Sequence, residues 1–546
     1  MKFDSITTIT GIHDSDSIIA RILIARGIPK EQHNSFLNPQ HPEMDGAYNS
    51  GIGQNELKKV IRRIKVAKQH KESVVIYADY DVDGITSAAI LWRTLKAYGL
   101  TVMPFIPQRS QGYGFSDIGL DSVLAKYGPS LIIAVDHGIN ESAHITRLKS
   151  KGVDVMVLDH HEQNDGERLV DACAVIHTTL LSAAGISYMV ATALSNESLS
   201  TDNLVLAGIA SLADVIPQRG LARALSYHAL RLLSRVNLPG IAALMAQAGL
   251  KQDKKAYTSY DIGYLIAPRI NAAGRLGDPL VALRLLCTTN PTKAREYAQS
   301  LELLNRKRQD LLKETLPIAY ELVKEQTGKR FRCIASPLFN EGIIGLLAGR
   351  LMHELQVPVF VGSERNNGMI KGSARSIDGV NMMPLMQQSG SLLLSFGGHE
   401  KAGGFSLSKD NMDAFIASLD TALTAMDGHV FEPVQHTDLT LPLPNITTAL
   451  ALALESLEPY GEQNQKPLFM SHDVLIVDRQ PVGRGGTHMR VVLKDIREGT
   501  IVKGIYFSAS QEFITMSINK PTSIVYQVEC NRWKGTKAQV MIQSVY

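Results

Sequence analysis

Cysteine is scarce and scattered. The four in 546 residues, Cys173, Cys287, Cys333 and Cys530, lack the spacing of a zinc knuckle or a disulfide scaffold and point to a reducing, cytoplasmic setting. No apolar run reaches about 18 residues, which excludes a membrane-spanning helix. The opening Met1-Lys2-Phe3-Asp4-Ser5 lacks the apolar core of a signal peptide. Net charge is also nearly absent: 56 Lys and Arg against 53 Asp and Glu leave +3. Overall charge therefore neither demands nor forbids a nucleic-acid partner, and binding one would need a local basic groove. Against these absences, 45% hydrophobic and 20% charged residues describe an ordinary soluble chain, whose length predicts two to four domains.

The most informative stretch is Val74-Val75-Ile76-Tyr77-Ala78-Asp79-Tyr80-Asp81-Val82-Asp83-Gly84. Its apolar run predicts a buried strand, and a helix follows over 85–95. Three carboxylates at alternate positions between them repel one another unless a cation sits among them, most simply a divalent metal. The pattern recurs. Leu131–Val135 predicts a strand ending at Asp136-His137-Gly138, Val153–Leu158 one ending at Asp159-His160-His161, and the apolar stretch Val205–Leu212 leads to Asp214. Alternating strands and helices predict a doubly wound, largely parallel sheet with its site at the strand carboxyl ends. One metal would be held by Asp81 and Asp136 with Asp79 nearby, and a second by Asp83, Asp136, His160 and Asp214. Mixed carboxylate and imidazole donors suit Mn²⁺ or Mg²⁺ better than structural zinc. After a further strand at 101–107, Gln108–Phe115 is a glycine-rich loop whose Arg109 is a candidate anion ligand.

Residues 1–50 read as a helical lead-in, 51–290 as the metal-binding domain and 291–328 as a connecting helix that Pro317 should kink or interrupt. A smaller α/β domain is expected over 329–428. Its Gly372-Ser373-Ala374-Arg375-Ser376 and Gly397-Gly398-His399 segments let backbone approach a ligand closely, with Ser373, Arg375 and His399 as phosphate contacts. From 429 to 546 short strands separated by Gly, Asn and Pro fit an OB-like barrel. There Arg484, Arg490, Tyr506, Trp533 and their neighbours mix cations with aromatics in the manner of single-strand binding.

The motifs Asp79-Tyr80-Asp81-Val82-Asp83-Gly84, Asp136-His137-Gly138, Asp159-His160-His161 and Ala213-Asp214 resemble those of the DHH phosphoesterase superfamily. Ala267-Pro268-Arg269-Ile270-Asn271-Ala272-Ala273-Gly274-Arg275-Leu276 and Leu457-Glu458-Pro459-Tyr460-Gly461 resemble signatures of its RecJ family, single-strand-specific 5′→3′ DNA exonucleases. The resemblance runs from about residue 23 to 546. It implies a DHH domain, a DHHA1 domain and an OB-like domain, two divalent ions (Mn²⁺ or Mg²⁺), and hydrolysis of single-stranded DNA to mononucleotides in repair and recombination. It also implies catalytic roles for Asp83, Asp136 and His161, the last on the scissile phosphate, and phosphate contacts from Arg109, Arg275, Ser373, Arg375 and His399. A single-stranded-DNA-binding protein and a RecQ-type helicase are the implied partners, of a monomer. Two positions depart from the usual pattern: His137, where many relatives have Asn and where an imidazole could add a ligand, and Phe339-Asn340, where many have Trp-His. The alternatives are a small-substrate phosphoesterase, which would not need the barrel, and a non-catalytic replication scaffold, which would be expected to lose ligands.

Overall fold

A computed structural model describes all residues except 1, 6–12, 43–48, 164–169, 195–199, 252–255, 433 and 484–485; Arg484 thus lies outside the described residues. The described residues within 49–214 and 228–433 form one compact unit, and those within 1–48, 215–227 and 434–546 a second.

In the first unit, β1 (Ser73–Ala78), β2 (Thr101–Phe105), β3 (Leu131–Val135), β4 (Asp154–Asp159) and β5 (Ala174–His177) form an all-parallel sheet in the order 2-1-3-4-5. β1, β3 and β4 are apolar almost throughout and buried, as a sheet covered on both faces requires. The order reverses between β1 and β3, and a crevice opens there beyond the strand carboxyl ends. Helix α1 (Val82–Ala97) follows β1 and packs on α2 (Ala183–Leu194) and α3 (Ser200–Ala213). The apolar stretch before Asp214 is therefore helix: a run that is apolar all round is as buried in α3 as a strand would be.

A π-helical turn, Asp261–Ile266, runs into α4 (Ala267–Leu276), and α5 (Pro291–Lys324) then leads away as one 34-residue helix. Pro317 does not interrupt it. Proline lacks one N–H, but the helix on its far side is held by packing: Ala319 and Val323 are buried against the next domain's core. That domain has a mixed sheet of β6 (Arg332–Ser336), β7 (Val359–Glu364), β8 (Met369–Arg375), β9 (Leu393–His399) and β10 (Ala402–Ser408), in the order 9-10-8-7-6, with α6 (Ile344–Leu355) packed on it.

In the second unit, β11 (Phe469–Val482), β12 (His488–Asp495), β13 (Ile501–Tyr506), β14 (Pro521–Asn531) and β15 (Lys537–Val545) close into a five-stranded barrel through the β11–β14 pairing. β13 and β15 pair in parallel and the other neighbours antiparallel, which makes it an OB-like barrel. The helix Ser15–Ala25 contributes Ile18, Ile22 and Leu23 to the same core as Phe469, Val491 and Tyr526, so the two chain ends share one interior. Arg223, 1% exposed, ties this unit together. It donates to the carbonyls of Phe36, Leu457, Glu458 and Pro459 at 2.8–3.2 Å, with its guanidinium 3.8 Å from the Phe36 ring centroid.

Candidate metal centre and phosphate pocket

β1 delivers the first carboxylates. Asp81 is the N-cap of α1, accepting from the backbone of Asp83 at 2.9 Å and Gly84 at 3.2 Å, the usual task of Asp at this position. Asp83 lies in the first turn and accepts from the N–H groups of Ala183 and Ala184 at 2.7 and 2.9 Å, so it also caps α2. The turn is braced by α4: Asn271 accepts from the Val82 N–H at 3.0 Å. Gly274 packs so closely that a Cβ there would stand 2.2 Å from the Tyr80 carbonyl oxygen.

β3 ends at Asp136, held at φ +66°, a strained conformation for a residue other than glycine and one that recurs at functional sites. β4 ends at Asp159-His160-His161. Three donor groups result, each with ligand atoms within 4.8 Å of one another: Asp79, Asp81 and Asp136; Asp83, His160 and Asp214; Asp136, His160 and His161. Asp136 and His160 each belong to two of the groups. His160 Nε2 is 3.2 Å from Asp136, 3.3 Å from Asp214 and 3.6 Å from Asp83.

Electrostatically this is a cluster short of positive charge. Burial, then Asp81, pushes Asp83 up to about 7. Burial and neighbouring carboxylates likewise raise Asp79, Asp136 and Asp214 well above the usual range. Burial and His161 push His160 down to about 3, leaving the neutral imidazole that a metal requires. His161 behaves differently. Burial lowers it, but the bond from Nδ1 to Asp159 at 2.8 Å and the nearby Asp81 and Asp83 more than offset that. The Tyr113 hydroxyl donates to the Asp136 carbonyl at 2.7 Å and is 3.0 Å from His161 Nε2. Asp159 is the anchor. It accepts from Ile139, His160 and His161 backbone N–H groups as well as from the ring; burial raises it, yet His161 holds it well below the carboxylate range.

Beside this centre three arginines converge. Arg109 donates to the Gly274 carbonyl at 3.1 Å and covers the Tyr80 ring at 4.4 Å. Arg275 donates to the Gly342 carbonyl at 3.2 Å, and Arg375 to Ser373 Oγ at 3.1 Å. Among the described residues none of the three is salt-bridged. Burial, then Arg109, Arg375 and Arg308, pushes Arg275 down to about 10. Partly buried cations crowded together with no carboxylate bonded to them define a pocket for an anion. His399, at the end of β9, stacks on His161 with centroids 5.6 Å apart and planes at 19°.

Comparison with known proteins assigns these parts. The profile of the DHH family, N-terminal domain, matches residues 73–212, that of the DHHA1 domain 331–425, and that of the RecJ OB domain 437–544. The single-stranded-DNA-specific exonuclease RecJ of Bacillus subtilis (strain 168) is 30% identical over 558 residues, covering 99% of this chain and 69% of the relative. The chain belongs to the RecJ family. The Escherichia coli (strain K12) RecJ is 26% identical over 97% of this chain and 96% of its own length. The crystal structure of Thermus thermophilus RecJ in complex with Mn²⁺ superposes with a TM-score of 0.82 at 25% identity, covering all of this chain and 79% of that one.

Within this RecJ-family chain, the structure brings Asp79, Asp81, Asp83, Asp136, His160, His161 and Asp214 to one centre, and Arg109, Arg275, Ser373 and Arg375 to the adjoining pocket. His137 is not among the donors. Its Nε2 donates to the Tyr77 carbonyl at 3.1 Å, the rings of Tyr77 and Phe115 pack edge-on against it, and burial pushes it down to about 4. It is a neutral core histidine, which answers the possibility of an added ligand. Phe339 is a core residue, and Asn340 accepts from the Gly342 N–H at 2.8 Å, shaping the turn that receives Arg275. In the barrel, Trp533 is 79% exposed and Arg490 is exposed and bonded to Gln480. Tyr506 instead packs edge-on against Phe513 on the barrel core, and the neighbouring Phe507, edge-on against His488, is the more exposed ring. Sequence reasoning passed over Asp159, Tyr113 and Asn271 as working residues. Asn271 lay within the quoted signature and Tyr113 between two glycines, but neither spacing nor residue type says what they touch.

Proposed function

We propose that this chain hydrolyses single-stranded DNA from its 5′ end in a metal-dependent reaction that releases mononucleotides, as a repair and recombination nuclease. The observation that carries the reading is the juxtaposition of a cation-deficient carboxylate centre with an unpaired arginine pocket. One is suited to metals and the other to a terminal phosphate.

The donors fit hard divalent ions. They are carboxylates plus imidazole, and Asp79 Oδ1 is buried with no hydrogen-bond partner, an atom left for a cation. Asp79, Asp81 and Asp136 would hold one Mn²⁺ or Mg²⁺, and Asp83, Asp136, His160 and Asp214 a second. Such ions, when bound, activate water and stabilise the leaving oxygen. His161, hydrogen-bonded through Nδ1 to Asp159, which raises its pKa, and through Nε2 to the Tyr113 hydroxyl, contacts the scissile phosphate and stabilises its developing charge. His399 lies flat against it. Arg109, Arg275, Arg375 and Ser373 hold the 5′-terminal phosphate, so that the separation of pocket and centre sets the length of the product. Arg490, Trp533 and Phe507 supply single-strand contacts in the barrel. As partners of a monomer we propose a single-stranded-DNA-binding protein and a RecQ-type helicase.

The test is digestion of an oligonucleotide carrying 5′-phosphate or 5′-hydroxyl, labelled at either end, with Mn²⁺, Mg²⁺ or EDTA. Mononucleotides should appear from the 5′ end, and Asp136→Asn and His161→Ala should abolish them. Arg275→Met should cost about tenfold or more on the phosphorylated substrate relative to the 5′-hydroxyl one, one charge-assisted contact being worth about 1.5–3 kcal/mol. Cleavage confined to dinucleotides would establish the small-substrate alternative instead, and binding without cleavage the scaffold.

A further inference from the structure

Two tyrosines outside the centre are unusually placed. Tyr260 and Tyr264, 58% and 70% exposed, stack on each other with centroids 4.8 Å apart and planes at 18°. A single exposed aromatic is ordinary. A preassembled, nearly parallel pair standing in solvent is a surface built for another flat ring. They stand at the π-helical turn Asp261–Ile266 that leads into α4, and such turns are rare and cluster at functional sites. Between them Gly263 has nothing within 4 Å of where a Cβ would be, so packing does not require glycine there, and the absence of a side chain keeps the floor beside the rings open.

Their direction from the centre can be read along the helix. Arg275 reaches into the phosphate pocket and Asn271, one turn earlier, holds the Val82 N–H of the carboxylate turn. Tyr264 and Tyr260 precede Asn271 by seven and eleven residues along one continuous helical run. At no more than about 1.5 Å per residue, since the π-helical turn is wound more widely than an α-helix, they stand up to about 10 and 16 Å further along the axis. Terminal-phosphate pocket, centre and tyrosine pair thus follow one another along a single helix.

We propose that Tyr260 and Tyr264 form a base-stacking platform that grips the substrate strand a few nucleotides to the 3′ side of the scissile bond. The proposal rests on the exonuclease reading above and adds a positioning element to it. Stacking reads no sequence, since every base has a π-face, so the platform would hold any strand in register between successive cleavages.

The experiment is a binding and cleavage series on the full chain with 5′-phosphorylated oligonucleotides from two to twenty nucleotides. A second set of twenty-mers carries one abasic position stepped inward from the 5′ end. For wild type, KM should fall about tenfold or more once the strand reaches the platform, and should rise again when the abasic position falls at one or two sites internal to the strand. Tyr260→Ala/Tyr264→Ala should lose both the length step and the abasic effect, yet cleave the shortest substrates with wild-type kcat. Tyr260→Phe/Tyr264→Phe should keep both. A double alanine variant that retains the length step and the abasic effect would overturn the platform. So would one that loses the shortest-substrate reaction equally, or a change only in self-association, which would make the pair a protein contact. If wild type cleaves no single strand of any length, it is the parent reading that fails.

Discussion

A buried cluster of carboxylates with no cation among them must hold protons, and that has a thermodynamic consequence in metal-depleted protein. Asp83 ionises near 4 in an unfolded chain and is pushed up to about 7 in the fold, while burial and neighbouring carboxylates raise Asp79, Asp136 and Asp214 well above the usual range too. A group whose folded pKa is raised contributes its stability below the unfolded value and loses it as pH climbs through the folded one. His137 and His160, depressed to about 4 and about 3, work in the opposite sense, and their opposition fades as pH climbs through about 6.5, where an unfolded histidine is half protonated. The window to read is therefore pH 6.5–8, in which Asp83 titrates and the raised carboxylates, joined by His161, whose pKa is also raised, make the folded state the greater proton binder.

Each carboxylate that keeps its proton removes about 1.4 kcal/mol of stability per pH unit. Over this window Asp83, with its midpoint near 7, removes about 1 kcal/mol; the residual protons of the two unfolded histidines return about as much, so the net fall is set by the raised Asp79, Asp136 and Asp214. Thermal unfolding in EDTA should accordingly fall from pH 6.5 to 8, by about 2 °C for each kcal/mol lost. With saturating Mn²⁺ the slope should vanish, because the ion displaces the protons, and the Mn²⁺-induced shift should grow with pH. Asp83→Asn loses one of its bonds to the start of α2 and so starts from a lower Tm; what matters is that its slope in EDTA should be shallower. A metal-free Tm that is flat or rising from pH 6.5 to 8 would refute the reasoning.

Three further perturbations isolate other parts. Asp159→Asn removes the negative charge beside His161 Nδ1 and one of the two acceptor oxygens there, without touching a residue of the three donor groups. It should lower kcat by about 10- to 100-fold with little change in the Mn²⁺-induced Tm shift, and loss of that shift would make Asp159 a ligand instead. Gly274→Ala places a Cβ 2.2 Å from the Tyr80 carbonyl oxygen. It should cost about 1–3 kcal/mol in thermal denaturation and weaken Mn²⁺ affinity by calorimetric titration, whereas wild-type affinity would show that the turn is not braced from α4. Arg223→Met strips four carbonyls of their buried donor. It should destabilise the barrel unit by about 3–5 kcal/mol, four buried acceptors being left unsatisfied, read as the first transition in denaturant, while the metal response of the other unit stays intact.

What was legible in the sequence was whatever short-range pattern encodes. Val74–Ala78 and Leu131–Val135 announce buried strands, and a carboxylate immediately after each is a local fact that survives folding. The strand-rich tail that closes into the barrel followed from composition for the same reason. What was not legible depends on contacts between distant segments. The residue type at position 137 suggests a ligand, and only the rings of Tyr77 and Phe115 closing on it make it a core residue. Pro317 should break a helix by local rules, and only the packing of Ala319 and Val323 carries α5 past it. Val205–Leu212 has the composition of a strand or a buried helix alike, so the element that supplies Asp214 could not be told from its letters. Arg223 and Phe36 are 187 positions apart, and no periodicity links a lead-in helix to the interior of a C-terminal barrel.

The distant contacts also explain why the signature around Asn271 is long. Along α4, Gly274 admits the Tyr80 carbonyl, Asn271 fixes the N–H of Val82, and Arg275 crosses to Gly342 of the neighbouring domain. Each is a separate geometric demand, and each falls on the same helical face. The helix therefore sets the height of the carboxylate turn and the position of the anion pocket together. Asp83, in the same turn, caps α2 with both of its oxygens while those oxygens also face His160. Displacing that turn would disturb a helix start, a donor group and a phosphate contact at once. Substitutions on this face of α4 should therefore lower metal affinity and 5′-phosphate discrimination together, whereas those at Ser373 or Arg375, on β8, should affect discrimination alone. Parallel titrations of Mn²⁺ and of 5′-phosphorylated against 5′-hydroxyl strands on Asn271→Ala and Arg375→Met separate the two, and independent responses in Asn271→Ala would show that α4 does not couple them.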